Sequence, residues 1–269
     1  MPRGLHRIAL PTSFRAHTLK AVLERVCFFP DEDPAGFDLQ FNRSYEYMEP
    51  VAVAMLGAWG SYWQKKRVTI RCDDPPAKGV AYAKRMGLFN FIRAKGLPDL
   101  KGHEPAGRFL ELRRIEDQRS LTRTIGDIAA IVRVKHLIEI VQYVLSELTR
   151  NVLEHARSEA YVCAQYYPTP KRVSIGIADC GVGILQSLRQ SYSFGTHSDA
   201  IVAALKPLVS GTSRVGYGSP DNAGLGLFYA RGLAKLSKEY FVIHSGSAAY
   251  RQSKSSSEGK AENPERDPA

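Results

Sequence analysis

Glu147, Asn151 and His155 recur at a spacing of four within ELTRNVLEHA (147–156). Residues four apart share one face of a helix, so an otherwise apolar helix carries a polar stripe that needs a partner. Two further segments combine glycine with polar groups. The strand-like run 173–178 leads into Asp179-Cys180-Gly181-Val182-Gly183, and Asn222-Ala223-Gly224-Leu225-Gly226-Leu227 opens a helical pattern. Glycines at a loop-to-helix junction let backbone amides approach phosphate oxygens, whose charge a helix N-terminus favours. An acid at a strand end accepts a hydrogen bond from an exocyclic amine such as that of adenine. Asn151 offers a side-chain oxygen to Mg2+, an ion that takes oxygen ligands and usually few of them from the protein.

Other glycine motifs fit less well. A P-loop needs Gly-Lys followed by Ser or Thr, and Gly259-Lys260 is followed by Ala261. A dinucleotide-binding fingerprint needs a third glycine where Gln186 stands, and an acid at the end of a second strand about twenty residues on, which is lacking.

Hydrophobic periodicity supplies the elements that must hold these groups. Residues 1–34 contain a short amphipathic helix (Leu19, Val22, Leu23, Val26) and end in the breaker FPDEDPAG. A first α/β unit occupies 35–120: an edge strand at 37–41, a buried helix at 50–63 entered through Pro50, a strand at 67–72, and a helix at 77–86 closed by Gly87. The charged stretch 95–127 reads as a link between halves. A second α/β unit spans 128–250, with a helix over 134–157 and strands at 161–167 and 172–179 joined by Pro168-Thr169-Pro170. Two helices, a glycine-rich loop, a helix over 224–238 and a strand at 240–245 follow. Residues 251–269 have little to bury and are expected to be a disordered tail.

Composition bounds the chemistry. The 269 residues suffice for two domains, and a 44% apolar share without an uninterrupted apolar run of about 18 residues excludes a membrane span. Charged residues throughout the first 30 deny a signal-peptide core, so the expected location is the cytoplasm. Cys27, Cys72, Cys163 and Cys180 form no CxxC pair, which argues against a disulfide framework and a zinc site and for reduced, buried thiols. The net charge of +10 is concentrated early: residues 1–135 carry 23 basic against 15 acidic residues, and 136–250 carry 10 against 8. A solvated basic face accounts for Gln64-Lys65-Lys66-Arg67 and Arg113-Arg114, which follow helical or turn-like stretches. A phosphate-binding surface able to take nucleic acid is the second reading.

In order and spacing, Glu147-x-x-x-Asn151, Asp179-x-Gly181-x-Gly183 and the loop 210–224 closing on Gly224-Leu225-Gly226-Leu227 resemble the GHKL superfamily of ATP-binding domains. That superfamily includes the gyrase B subunit, mismatch-repair ATPases, sensor histidine kinases and anti-sigma-factor serine kinases. The resemblance implies a two-layer α/β sandwich of the Bergerat type, with ATP bound between helices and a mobile lid. It makes Asn151 the Mg2+ ligand and Asp179 the carboxylate that recognises the adenine amine. Gly181 and Gly183 line the base, Gly224, Leu225 and Gly226 form the phosphate-facing hinge, and Gly211 to Ala223 form the lid. In relatives that hydrolyse ATP or phosphorylate serine, a glutamate four residues before the asparagine is the general base, the role implied for Glu147. The competing reading pairs Glu147 with Arg150 on a solvated face. His155 reads as a packed helix residue, and Arg214 in the lid and Arg231 on the last helix read either as phosphate-reaching or as exposed.

Two departures from the family pattern stand out. The segment 240–250 looks like the strand and turn before a last strand, where relatives carry a Gly-Thr pair, and here the polar tail follows instead. Asn222 stands where many members place another glycine. The first unit resembles STAS domains in its strand, helix, strand, helix order. Tyr47-Met48-Glu49-Pro50 offers no phosphorylatable serine, so this unit is expected to be an interaction module without phosphoacceptor function. The expectation is therefore a GHKL-type ATP-binding protein with ATP and Mg2+ as cofactors, either hydrolysing or transferring phosphate under control of a regulatory protein partner, or acting as a non-catalytic ATP-gated switch. A homodimer is left open.

Overall fold

The structure, a computed structural model, describes residues 5–16, 18–19, 22–23, 34–42, 47–72, 77–94, 107–132, 135–169, 171–189, 191–209, 224–254 and 259–262. It is mixed α/β, and its contacts divide the chain into two compact units: 1–115, 126–133 and 160–180, and then 116–125, 134–159 and 181–269. The division does not follow the linear boundaries 35–120 and 128–250, because two strands from the middle of the chain pack on an early helix.

In the first unit β1 (His6–Ala9), β3 (Gly36–Gln40) and β5 (Thr69–Arg71) form a parallel sheet in the order β1-β3-β5, and β2 (Ser13–Phe14) pairs with β4 (Tyr47–Met48). The stretch 1–34 thus supplies two strands. Helix α1 (Pro50–Lys65) starts with proline at a position where no N–H is needed. Its residues from Ala52 to Gly60 are all buried, as expected of a helix apolar all round. It packs on β3 through Phe37, whose ring centroid lies 4.8 Å from that of Trp59. Helices α2 (Ala77–Arg85) and α3 (Leu88–Ile92) follow.

Strands β6 (Phe109–Ile115), β7 (Ala160–Tyr167) and β8 (Arg172–Ala178) form an antiparallel sheet in that order, also packed on α1. The Cys163 thiol donates to the Pro50 carbonyl at 3.0 Å. A Cβ at Gly176 would lie 2.5 Å from Val51 Cα, so only glycine lets the start of α1 rest on β8. At the end of this sheet Tyr47 donates to the Tyr167 hydroxyl at 2.6 Å and Tyr82 donates to Gln165 at 2.7 Å. Burial pushes both the Tyr82 and Tyr167 phenols far above their ordinary range, which keeps them neutral.

The stretch 95–127 is not merely a link. It contains β6, where Arg113 and Arg114 stand on a strand, and most of α4 (Gln118–Ile131). The register shifts between Leu110 and Arg113, a bulge that interrupts the alternation and hides the strand from a period-two reading. Arg113 pairs with Asp127.

The second unit holds α5 (Lys135–Asn151), a π turn (Val152–Ala156), α6 (Gly183–Leu188), α7 (His197–Ala204) and α8 (Gly226–Leu236). Its antiparallel sheet runs β11-β10-β9, from β9 (Phe241–Ser245), β10 (Ala248–Gln252) and β11 (Lys260–Glu262). The expected loss of a last strand is corrected here, and within the expected disordered tail residues 251–252 and 260–262 stand in strands. Strand β10 follows the Gly246-Ser247 turn directly, and β11 pairs with it. Ala248, Ala249 and Tyr250 are buried in succession, so no alternation announces the strand. Residues 255–258 and 263–269 lie outside the described residues. Ile201, Leu205, Ala248 and Tyr250 form one core cluster, and Leu185, Leu188, Ala200 and Ala204 another. Among the described residues no helix is long and apolar enough to cross a membrane.

Candidate functional site

Helix α5 is the spine of the site. Glu147 is only 4% exposed, and its Oε1 accepts a 2.9 Å hydrogen bond from Arg150 Nη1. The pairing with Arg150 weighed from the sequence is present, on a buried rather than a solvated face. Asn151, half-buried, closes the α-helical part, and the π turn 152–156 follows. Such turns are short, occur inside or at the ends of α-helices, and cluster at functional sites. The half-buried His155 falls within that turn, outside the α-helical spacing that carries Glu147 and Asn151. Arg157, at φ 54, ends the helix, and its N–H donates to the Val152 carbonyl.

Two glycine segments meet this spine. A Cβ on Gly226 would lie 2.7 Å from Glu147 Cβ and 3.6 Å from Asn151 Nδ2, so the first turn of α8 sits directly against both polar residues. Leu225, the residue capping α8, makes no side-chain cap bond. The opening amides of α8 are therefore left to backbone, water or ligand partners. At the other end, Gly181 lies so close to Ala156 that any Cβ would overlap the Ala156 carbonyl, and the Val182 N–H donates to that carbonyl at 3.2 Å. Gly183 has φ 74, and the Ile184 N–H beside it donates to Ser245 Oγ at 2.9 Å. Gly224 has φ 64 and lies against the Val209 carbonyl. The two residues bordering 210–223 are thus in contact. The expected lid Gly211 to Ala223, with Arg214 and Asn222, lies outside the described residues.

Asp179 is exposed, directly after β8 at the end of the first unit and two residues ahead of Gly181 along the chain. Glu147, Asn151, Gly181, Gly183, Gly224, Leu225 and Gly226 all belong to the second unit. Arg231 is half-buried on α8. Among the described residues no group of three or more His, Cys, Asp and Glu side chains is placed to hold a metal ion. What the second unit offers to Mg2+ is the Asn151 side-chain oxygen, which fits a cation that is otherwise coordinated by its nucleotide and water.

Sequence reasoning passed over two residues here. Ser245 accepts from the Ile184 N–H at the start of α6, and its signal was the Ser-Gly-Ser turn within 240–250, expected as a strand and turn without a role for this hydroxyl. His197, the first residue of α7, packs its ring on the backbone of Gly246, with Nδ1 buried and without a hydrogen-bond partner. No family model, no curated protein and no solved structure matches this chain.

Proposed function

We propose that the chain is an ATP-binding protein of the GHKL type, in which the second unit binds Mg2+-ATP. The carrying observation is the contact of Gly226 with Glu147 and Asn151. Segments 75 residues apart in sequence, singled out for metal and phosphate chemistry, touch where glycine alone fits. The packing of Gly181 on Ala156 supports the reading from the third segment. Asn151 would hold Mg2+, and the opening amides of α8 would face phosphate oxygens. The nucleotide supplies the transferable phosphoryl group. Glu147 accepts the proton of the attacking water or hydroxyl, and Arg150 fixes the orientation of that carboxylate through Oε1. The finer architecture in this reading is a two-layer Bergerat sandwich with a STAS-like module before it, and a regulatory protein is its partner.

One observation favours a non-catalytic, ATP-gated switch instead: the buried Glu147 is engaged by Arg150, as a structural carboxylate would be. Phosphate release by wild type, Glu147→Ala and Asn151→Ala, measured beside ATP affinity, separates the readings. Catalysis predicts that Glu147→Ala binds ATP and does not turn it over. A wild type that binds without turnover, alone or with its partner, leaves the switch.

A further inference from the structure

Four of the exposed large apolar side chains of the second unit lie together on α5 and α8. Ile140 is 46% exposed and Tyr143 41% on α5, and Tyr229 is 42% and Leu236 86% exposed on α8. Ile140 and Tyr143 are three apart, and Tyr229 and Leu236 seven apart, so each pair shares one helix face. The Tyr143 and Tyr229 rings meet edge to face at 5.7 Å, which joins the two faces into one patch. The helices run antiparallel there, since Gly226 lies against Glu147 and Tyr229 against Tyr143. The rim of the patch is charged with opposite signs on the two helices. Glu139 is exposed beside Ile140, and Lys235 is exposed beside Leu236. Neither takes part in the ion pairs found among the described residues.

We infer that this face is the contact between two copies of the chain. In a two-fold pairing the same patch meets itself, so α5 of one copy crosses α8 of the other, and Glu139 and Lys235 face each other twice. A patch with one sign of charge on its rim would repel its own copy. At ordinary whole-residue areas, the exposed fractions of the four side chains leave roughly 400 Å2 of apolar surface per copy, at the scale of functional patches on monomers. With its polar rim the contact falls near the lower end of specific interfaces, the range of weak, transient association. Because α5 and α8 carry Glu147, Asn151 and Gly226, pairing braces the two helices of the site from their outer side, whether or not a nucleotide binds there.

Sedimentation velocity from about 1 to 200 μM measures the equilibrium over the range a contact of this size implies. The wild type is expected to pass from monomer to dimer across that range, and Tyr143→Glu and Leu236→Glu to remain monomeric with unchanged circular dichroism. Glu139→Lys and Lys235→Glu each weaken association about tenfold, and the double reversal restores it. The charge pair keeps the test decisive if an apolar variant misfolds. A wild type that is monomeric at the highest concentration overturns the inference. A dimer whose affinity none of the four single variants changes also overturns it.

Discussion

Replacing Gly226 by alanine tests the packing on which the site is built. The added Cβ would stand 2.7 Å from Glu147 Cβ, against ordinary carbon contacts of about 3.5 Å or more, so the first turn of α8 must retreat by about 0.8 Å. Its distance from Asn151 Nδ2, 3.6 Å, needs no adjustment. Overpacking of this kind costs about 1–3 kcal/mol, and alanine's better helix propensity returns at most about 1 kcal/mol. The net loss of about 1–2 kcal/mol corresponds to a fall in Tm of roughly 3–6 °C at this chain length. A helix start displaced by that distance also moves its amides away from bound phosphate, for an expected loss of about tenfold in ATP affinity. Gly232 on the same helix is the control. Nothing lies within 4 Å of a Cβ there, so Gly232→Ala should be neutral or stabilising by up to about 1 kcal/mol. Differential scanning fluorimetry and calorimetric titration on both variants read the difference. The packing argument is refuted if Gly226→Ala melts with Gly232→Ala and binds ATP like the wild type.

Other expectations follow from the same geometry. Arg150→Ala removes the Arg150 hydrogen bond from the buried Glu147 carboxylate and should cost about 1–3 kcal/mol in urea unfolding, with Arg150→Lys recovering part of the loss. An unchanged midpoint would show that the pair contributes nothing. Native thiol labelling should modify the exposed Cys180 and spare the buried Cys72 and Cys163, the latter with its thiol pKa pushed far up by burial. Mg2+-ATP should slow the Cys180 reaction, because that residue stands between Asp179 and Gly181; an unaltered rate would place the nucleotide elsewhere. At the start of α4, hydrogen bonds from the Ser120 hydroxyl and N–H hold the Asp117 carboxyl below its usual value of 3.8. A carboxylate with a depressed folded-state pKa stabilises above its unfolded value and loses that contribution as pH falls through the folded value. The stability gap between wild type and Asp117→Ala should therefore be full above about pH 4 and shrink below it. Equal gaps at pH 2 and pH 7 would contradict the assignment.

The parts of the fold that announced themselves were those with an unbroken period. The apolar helix entered at Pro50 begins where expected and runs two residues past 63. The hairpin strands expected at 161–167 and 172–179 appear at Ala160–Tyr167 and Arg172–Ala178, and the helix expected over 224–238 at Gly226–Leu236. What went unread lacked a period. The bulge in β6 breaks the alternation in FLELRRI, and AAYRQ in β10 buries three small or aromatic residues in a row. Grouping into units was also hidden, because pairing of β6, β7 and β8 on α1 is a long-range event that composition along the chain does not encode. At the candidate site, residue types and spacings singled out Asn151 and Gly226, but their contact depends on how α8 packs on α5. Helical periodicity led to a strict stripe through His155, whose last member stands in a π turn that this spacing does not describe.

The central claim is that the second unit holds one magnesium-bound ATP at the meeting point of α5 and α8. Calorimetric titration of ATP into wild type and Asn151→Ala, each with Mg2+ and with the metal chelated, addresses it most directly. The account predicts saturable one-site binding by the wild type that weakens about tenfold or more when either Mg2+ or the Asn151 side chain is removed, with no further loss when both are absent. No heat from the wild type with metal present, or binding of equal strength in all four titrations, would contradict it.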